Sequence, residues 1–352
     1  MARIMKQDLI TFCRTALEKE GMLPENALIT AEVLATTDAY GTHSHGTKNL
    51  HNYIKKVRVG GACLNAAFDK IHEGASFAVI DAHHQLGMVP STKAMLLAIE
   101  KAEKTGIALV TVRNSCHFGA AGYYANLAAA KGMIGLSMSN VDPNMTVPGA
   151  RGMIIGNNPF SYAIPANIFP SIFLDIAMSN VASLKVVQAR KDNKLIPETW
   201  ITDKDGLPTN NPSHYPEEGA MQPMAAHKGY GLSVMVEALT GLLSGGGVST
   251  QGDIVSWCFE PEQHNNVCHT FIAIDVKSFL PEGALEARAD QLIKTLHEAP
   301  KAKNADRIYV PGELEWIRAK NAEIHGIELP PDVLSSLQAL AEDVDLPLNL
   351  ID

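Results

Sequence analysis

Residues 42–46 read Thr-His-Ser-His-Gly, two histidines around one serine. Three chemistries use such a group: metal binding, activation of a serine, and proton transfer. Helical metal ligands recur at i, i+4 beside an acid, as in His-Glu-x-x-His. Here His43 and His45 stand two apart, His83 and His84 are adjacent, and that motif is absent. The spacing therefore points to hydrogen-bonded histidines and predicts no metal. A serine nucleophile of the hydrolase kind sits in a Gly-x-Ser-x-Gly turn, which the chain lacks, and sequence neighbours rarely converge as a triad. Proton transfer is the remaining reading. A helix beginning just after Ser44 or His45 would set the imidazole at its positive end, lower its pKa and hold it ready to accept a proton. Lys48 and Asn49 would then share its face. One helix end would present a proton carrier, a hydroxyl and a polar or cationic group, which suits acid–base chemistry on a hydroxyl or carbonyl.

A second chemistry concerns phosphate. The Gly-x-Gly-x-x-Gly fingerprint follows no candidate strand, and Gly229-Tyr230-Gly231 lacks the third glycine. This argues against the standard dinucleotide fold and leaves room for a cradle of other glycine-rich loops and helix starts. Residues 227–243 open an apolar helix with Lys228, and residues 309–320 open one after Pro311-Gly312. On spacing alone each reads equally well as a plain helix start. Residues 203–206, Asp-Lys-Asp-Gly, lack the further acids of a calcium loop and read as a turn.

The elements that must hold these groups follow from periodicity. Leu9, Phe12, Cys13, Ala16 and Leu17 recur at helical spacing up to Gly21, and Pro24 suits the first turn of a second helix ending near Gly41. Leu50, Ile54 and Val57 mark a third, closed by Gly60-Gly61. From about residue 75, β-rich runs at 77–81, 107–112, 134–139, 172–177 and 271–275 alternate with helices near 91–104, 121–131, 180–191 and 229–243, giving a mixed α/β fold. The Pro, Gly and Asn content of 141–170 predicts loop or irregular strand. Helices return at 282–298, 312–325 and 331–342. The expected organisation is a helical segment over 1–70, an α/β domain over 71–280, and a C-terminal helical segment over 281–352.

Composition narrows the classes. At 352 residues, 46% hydrophobic and 19% charged, the chain is long and apolar enough for a large core. A net charge of −9 with few basic clusters argues against nucleic-acid binding. No run reaches the roughly 18 apolar residues of a membrane span. Five scattered cysteines without a Cys-x-x-Cys pair signal neither disulfides nor a zinc site. No targeting segment is read, and the expected compartment is the cytoplasm.

Taken together, the segments at 42–46, 114–125 (Asn-Ser-Cys-His-Phe-Gly onward), 134–140, 156–165, 174–179, 196–212, 227–232, 271–275 and 310–313 resemble the type II malate/L-lactate dehydrogenases. Relatives of that family include ureidoglycolate dehydrogenase, 2,3-diketogulonate reductase, sulfolactate dehydrogenase and Δ1-piperideine-2-carboxylate reductase. The order and spacing of many pieces make the resemblance specific, and it covers nearly the whole chain. It implies a non-Rossmann cofactor fold, NAD or NADP as cofactor, a small 2-oxoacid or 2-hydroxyacid as substrate, and a homodimer to which the helical ends contribute. It further implies cofactor and substrate binding by the 71–280 domain, packing of 281–352 on 1–70, His45 as proton donor and acceptor, Ser44 as its orienting partner or proton relay, and His117 in the substrate pocket. Cofactor contacts carry over to Leu174, Asp175, Ile176 and Ala177, to Lys228 with Gly229, and to Gly312 with Glu313. The family pattern places an arginine four residues after the histidine, as a clamp for the substrate carboxylate. Asn49 stands there in this chain, so Lys48 is the expected substitute, as a point charge, unless the substrate differs. Ser183-Leu184 before Lys185, the approach Met224-Ala225-Ala226 to Lys228, and Asn157 also depart from the pattern. A related acid or cyclic imine as substrate, or a catalytically silent ligand-binding homologue, are the alternative readings.

Overall fold

The structure, a computed structural model, describes residues 2–351. A short strand β1 (Arg3–Ile4) leads into α1 (Lys6–Lys19), whose Leu9, Phe12, Cys13, Ala16 and Leu17 are buried as their spacing predicts. In α2 (Pro24–Ala39) Pro24 occupies the first turn. The third helix starts later than expected. Two 3-10 turns, His43–His45 and Thr47–Asn49, precede α3 (Leu50–Arg58). The cause is Asp38, near the end of α2, which draws donors from both turns onto its buried carboxylate and bends the chain across the helix end.

The chain then runs β2 (Asp69–Glu73), β3 (Phe77–Asp81), α4 (Met88–Thr105), β4 (Ile107–Ser115), α5 (Ala121–Ala129), β5 (Met133–Ser139), β6 (Phe160–Pro165), β7 (Ser171–Ile176) and α6 (Ser183–Lys191). A two-residue pair follows, β8 (Ile201–Thr202) with β9 (Pro208–Thr209), then α7 (His227–Glu237), which continues into a π turn at Ala238–Leu242. Last come β10 (Val267–Asp275), α8 (Ala284–His297), α9 (Glu313–His325), β11 (Ile327–Glu328) and α10 (Pro331–Asp343). Seven strands form one sheet in the order β2-β3-β4-β10-β5-β6-β7. Only β3 and β4 pair in parallel, joined by the crossover helix α4, as a parallel pair requires. Strand β10 returns late in the chain to fill the centre, setting Phe271 opposite Val110 on one side and Ser137 on the other. Within 141–170, β6 is a regular strand paired on both edges; Pro165 is confined to its last position, where a missing donor is tolerated.

The alternation of β4 explains the main core. Ala108, Val110 and Val112 face one way, with Ala78, Ile80, Phe271 and Ala273, against α4 and α5. The same cluster continues through Leu9, Leu34 and Tyr53 to Val333 and Leu337 of α10, which packs on α3. The other sheet face carries a smaller lobe around Met138, Met178, Met221 and Val236. Among the described residues no helix is long and apolar enough to cross a membrane.

Candidate active site

Asp38 organises the first half of the site. Its carboxylate accepts from His43 Nδ1 (2.9 Å), the Thr47 amide (2.8 Å) and the Thr47 hydroxyl (2.5 Å). Gly46 lies against that carboxylate so closely that a Cβ would come within 2.2 Å of it. His43 thus serves the turn, and His45 keeps its Nε2 without a protein partner among the described residues. Ser44 Oγ and His45 Nδ1 are 2.9 Å apart, so the neighbours do pair, as an orienting contact. Burial lowers the His45 pKa. The direction agrees with the sequence-based expectation but the cause differs, because α3 begins only at Leu50 and its dipole is not at the imidazole.

His117 comes from the loop between β4 and α5. Its ring stacks near His45, centroids 5.6 Å apart, and on Trp257 at 4.8 Å. Its Nδ1 lies 2.6 Å from the Tyr53 hydroxyl and receives the Gly119 amide at 3.4 Å. The Asn265 side chain accepts from the His117 amide at 3.0 Å. Burial, then the neighbouring His45 and His269, push the His117 pKa well below the ordinary imidazole value. Beneath the loop, fully buried His269 bridges Ser139 Oγ and Ser115 Oγ, each at 2.9 Å, and burial takes its pKa down to about 3.

The other expected pieces gather around β7. Gly122, opening α5, donates to Asp175 at 2.6 Å. Gly229, in the first turn of α7, meets the Met178 and Met224 carbonyls so closely that a Cβ would lie 2.7 and 2.6 Å from them. The Phe173 amide donates to the Pro311 carbonyl, and Gly312, at φ +84°, packs on the Phe173 ring. The segment Leu174–Ala177 therefore runs between the starts of α5, α7 and α9. Lys228 is exposed and forms no ion pair among the described residues. Glu313 is fully buried, held by His297 (2.7 Å), Arg307 and the Val310 amide (3.1 Å), so it anchors the turn that carries Gly312. A cleft of about 450 Å³ lined by Pro148, Gly149, Asn180, Ala225 and Ala226 leads to the start of α7. Ala225 and Ala226 hold φ values of +48° and +52°, which strain a side chain. The start of α7 fits an anionic group of a cofactor: the Lys228 ammonium is unpaired among the described residues and the helix opens beside the cleft.

Two expectations are corrected. Lys48 does not share the pocket face of His45; its ammonium meets Asp332 of α10 at 2.6 Å. Asn49 donates to the Ser44 carbonyl at 2.8 Å, bracing the turn that carries His45. The late start of α3 is the reason, since the spacing argument assumed one continuous helix. The run 203–206 is a turn, Asp203 accepting from the Asp205 and Leu207 amides. Asp38, Tyr53, Trp257 and His269 were missed from sequence. Asp38 had a signal: it continues the apolar face of Ala31, Leu34 and Ala35, where a lone acid needs partners.

Comparison with known proteins agrees with this assembly. The malate/L-lactate dehydrogenase family model matches residues 4–338. The chain is 37% identical over 349 residues to a malate dehydrogenase of Pyrococcus abyssi, covering 97% of this chain and 95% of that one. It is 30% identical over 335 residues to the ureidoglycolate dehydrogenase (NAD(+)) of Escherichia coli strain K12, covering 95% of each. The solved sulfolactate dehydrogenase of Methanocaldococcus jannaschii superposes with a TM-score of 0.90 at 31% identity over 98% of both chains. The chain belongs to the malate/L-lactate dehydrogenase family.

Proposed function

We propose that this family member is a nicotinamide-dependent oxidoreductase of a small 2-hydroxyacid or 2-oxoacid, with His45 as proton donor and acceptor. The observation that carries the reading is the pairing of His45 and His117. The rings lie 5.6 Å apart, and each Nδ1 is engaged by a hydroxyl, leaving each Nε2 without a protein partner among the described residues. When bound, the nicotinamide exchanges a hydride with the carbon that bears the substrate oxygen. His45 exchanges the proton of that oxygen, giving it in reduction and taking it in oxidation. Ser44 keeps the imidazole turned, and His117 lines the substrate pocket. Holding the reactants together, away from water, supplies much of the acceleration.

Lys228 with Gly229, the Leu174–Ala177 segment including Asp175 and Ile176, and the Gly312 turn anchored by Glu313 would hold the cofactor. Their meeting around β7 supports this. The NAD(+)-dependent ureidoglycolate relative supports NAD, with NADP as the second arm of the test. A homodimer fits the apolar surface left open: Val234, Leu242 and Leu243 on and after α7, and Ile317 and Ile324 on α9, are exposed. The rival reading, a catalytically silent ligand-binding homologue, draws on Asn49, which is spent on the Ser44 carbonyl.

The test is NADH and NADPH oxidation with oxaloacetate, pyruvate and a panel of other 2-oxoacids and cyclic imines, with His45→Ala as control. Turnover lost in the variant is expected. Absence of turnover and of cofactor binding across the panel overturns the reading in favour of the silent homologue. Light scattering at micromolar concentration reads the dimer.

A further inference from the structure

We propose that Tyr53 is a positioning residue that fixes His117 in one tautomer, with its proton on Nε2, so that His117 offers the substrate oxygen a permanent N–H donor. As a statement about catalysis this rests on the oxidoreductase reading above; as a statement about the imidazole it does not.

The argument starts from His117 Nδ1. Two groups point at it: the Tyr53 hydroxyl at 2.6 Å and the Gly119 amide at 3.4 Å. An amide N–H only donates, so Nδ1 has to accept. The hydroxyl could in principle run either way. Tyr53 is fully buried, however, and its oxygen has no other acceptor within hydrogen-bond reach among the described residues. Were Nδ1 protonated, the phenol proton would be left buried without a partner, which is costly. Both donors therefore select an unprotonated Nδ1, and a neutral imidazole then carries its proton on Nε2.

The surroundings hold this arrangement. Tyr53 projects from α3 and stacks on Trp257 at 4.8 Å, and Trp257 stacks on His117 at the same distance. The Asn265 side chain fixes the His117 backbone. Lys56, one turn after Tyr53, reaches the Pro261 and Gln263 carbonyls and ties the Trp257-bearing loop to α3. One helix thus sets both the ring and its partner. Protonating His117 at Nδ1 would lose the Gly119 bond and leave the Tyr53 phenol proton without a partner, and burial and the neighbouring His45 and His269 oppose the charge further. His117 is built to keep its proton.

The experiment uses histidine selectively labelled with nitrogen-15, with His117→Gln to assign the signal. In the native chain His117 should show a protonated Nε2 and a bare Nδ1, unchanged from pH 8 to 5.5. In Tyr53→Phe, which keeps the ring stack, the two nitrogens should shift toward an average and begin to titrate. The variant should lose on the order of 100-fold in kcat/KM, the low end of the range for removing one polar donor. Its acid limb should move to higher pH, which a purely structural defect would not cause. A native His117 with its proton on Nδ1 overturns the proposal, as does an unchanged spectrum in the variant. A changed spectrum with kcat/KM and pH profile intact also overturns it, because the donor would then be unused. If the spectra behave as expected while the native chain turns over no substrate, the tautomer assignment stands and the oxidoreductase reading falls.

Discussion

Replacing Gly46 by alanine tests the geometry of the proton-transfer turn most directly. At φ −91° the Gly46 backbone lies outside the left-handed region that favours glycine. The conflict is steric. A Cβ would lie 2.2 Å from one Asp38 carboxylate oxygen and 2.7 Å from the other. That carboxylate cannot swing aside, because three donors hold it and its side chain is fully buried. Turn and carboxylate must part by about an ångström to reach van der Waals distance. Overpacking of this kind costs about 1–3 kcal/mol, and a strained charge-assisted hydrogen bond adds about 1 kcal/mol or more. His45 is the preceding residue, and displacing a reacting group by about an ångström costs on the order of 100-fold in rate. Denaturant unfolding and kcat/KM for the substrate found above are the assays. The double variant Asp38→Ala with Gly46→Ala should be destabilised by less than the sum of the single changes, since the clash is gone once the carboxylate is. A Gly46→Ala protein with stability within 0.5 kcal/mol of the native, a margin typical of neutral surface changes, and unaltered kcat/KM would refute the placement of Asp38 under the turn.

Lys48→Met should change the KM for a 2-oxoacid by less than about twofold and cost under about 1 kcal/mol, because its partner Asp332 is exposed; a large rise in KM would return Lys48 to the pocket. Asn49→Arg should tighten a 2-oxoacid if a missing carboxylate clamp limits binding, and unchanged or weaker binding would sink that account. Stability should fall as pH drops below about 6.5 toward 3, because the unfolded chain takes up protons that buried His269 and His117 refuse in the fold. Melting temperature followed from pH 7.5 to 5 reads this, and His269→Asn should flatten the slope; an equal slope in both proteins would contradict it. Ala226→Gly should raise stability by about 1 kcal/mol by relieving the positive φ before α7, and a lower melting temperature would show that this conformation carries no strain.

Most helices and the principal strands were legible because their apolar periods are clean: 3.6 in α1, 2 in β4. The errors fall where tertiary partners overrule local pattern. The start of α3 was misplaced because the buried Asp38 carboxylate bends residues 43–49 into two tight turns, and no spacing rule sees a partner from the preceding helix. Lys48 likewise meets a partner that spacing does not reveal, Asp332 of α10. Strand β6 hides inside a Pro- and Asn-rich stretch because β5 and β7, on either side of it, supply the pairing that its composition does not advertise. Ser44, His45 and His117 came from motif resemblance, and the fold brings them together. Tyr53 sits between Leu50 and Ile54 with nothing in its spacing to mark it out. Only its hydroxyl contact, made 64 residues away in sequence, separates it from them.

That contact also separates the work of two neighbouring histidines. His45 has a single hydroxyl at Nδ1, and that Ser44 hydroxyl can accept from an N–H there whether the ring is neutral or charged. Its Nε2 can therefore gain and lose a proton with no rearrangement behind it. His117 has two donors at Nδ1, so its Nε2 keeps the proton. The rings lie 5.6 Å apart, and charge on His45 further disfavours charge on His117. On the oxidoreductase reading, one ring exchanges the proton while the other stays neutral and holds the oxygen that receives it. Exchanging the two environments should exchange the roles. Adding a second donor at His45 Nδ1 should slow turnover at the proton-transfer step, whereas removing Ser44 alone by Ser44→Ala should lower the rate without fixing the ring. A larger solvent isotope effect in the first case than in the second would separate them, and equal effects would mean that the Nδ1 partners do not decide which histidine carries the proton.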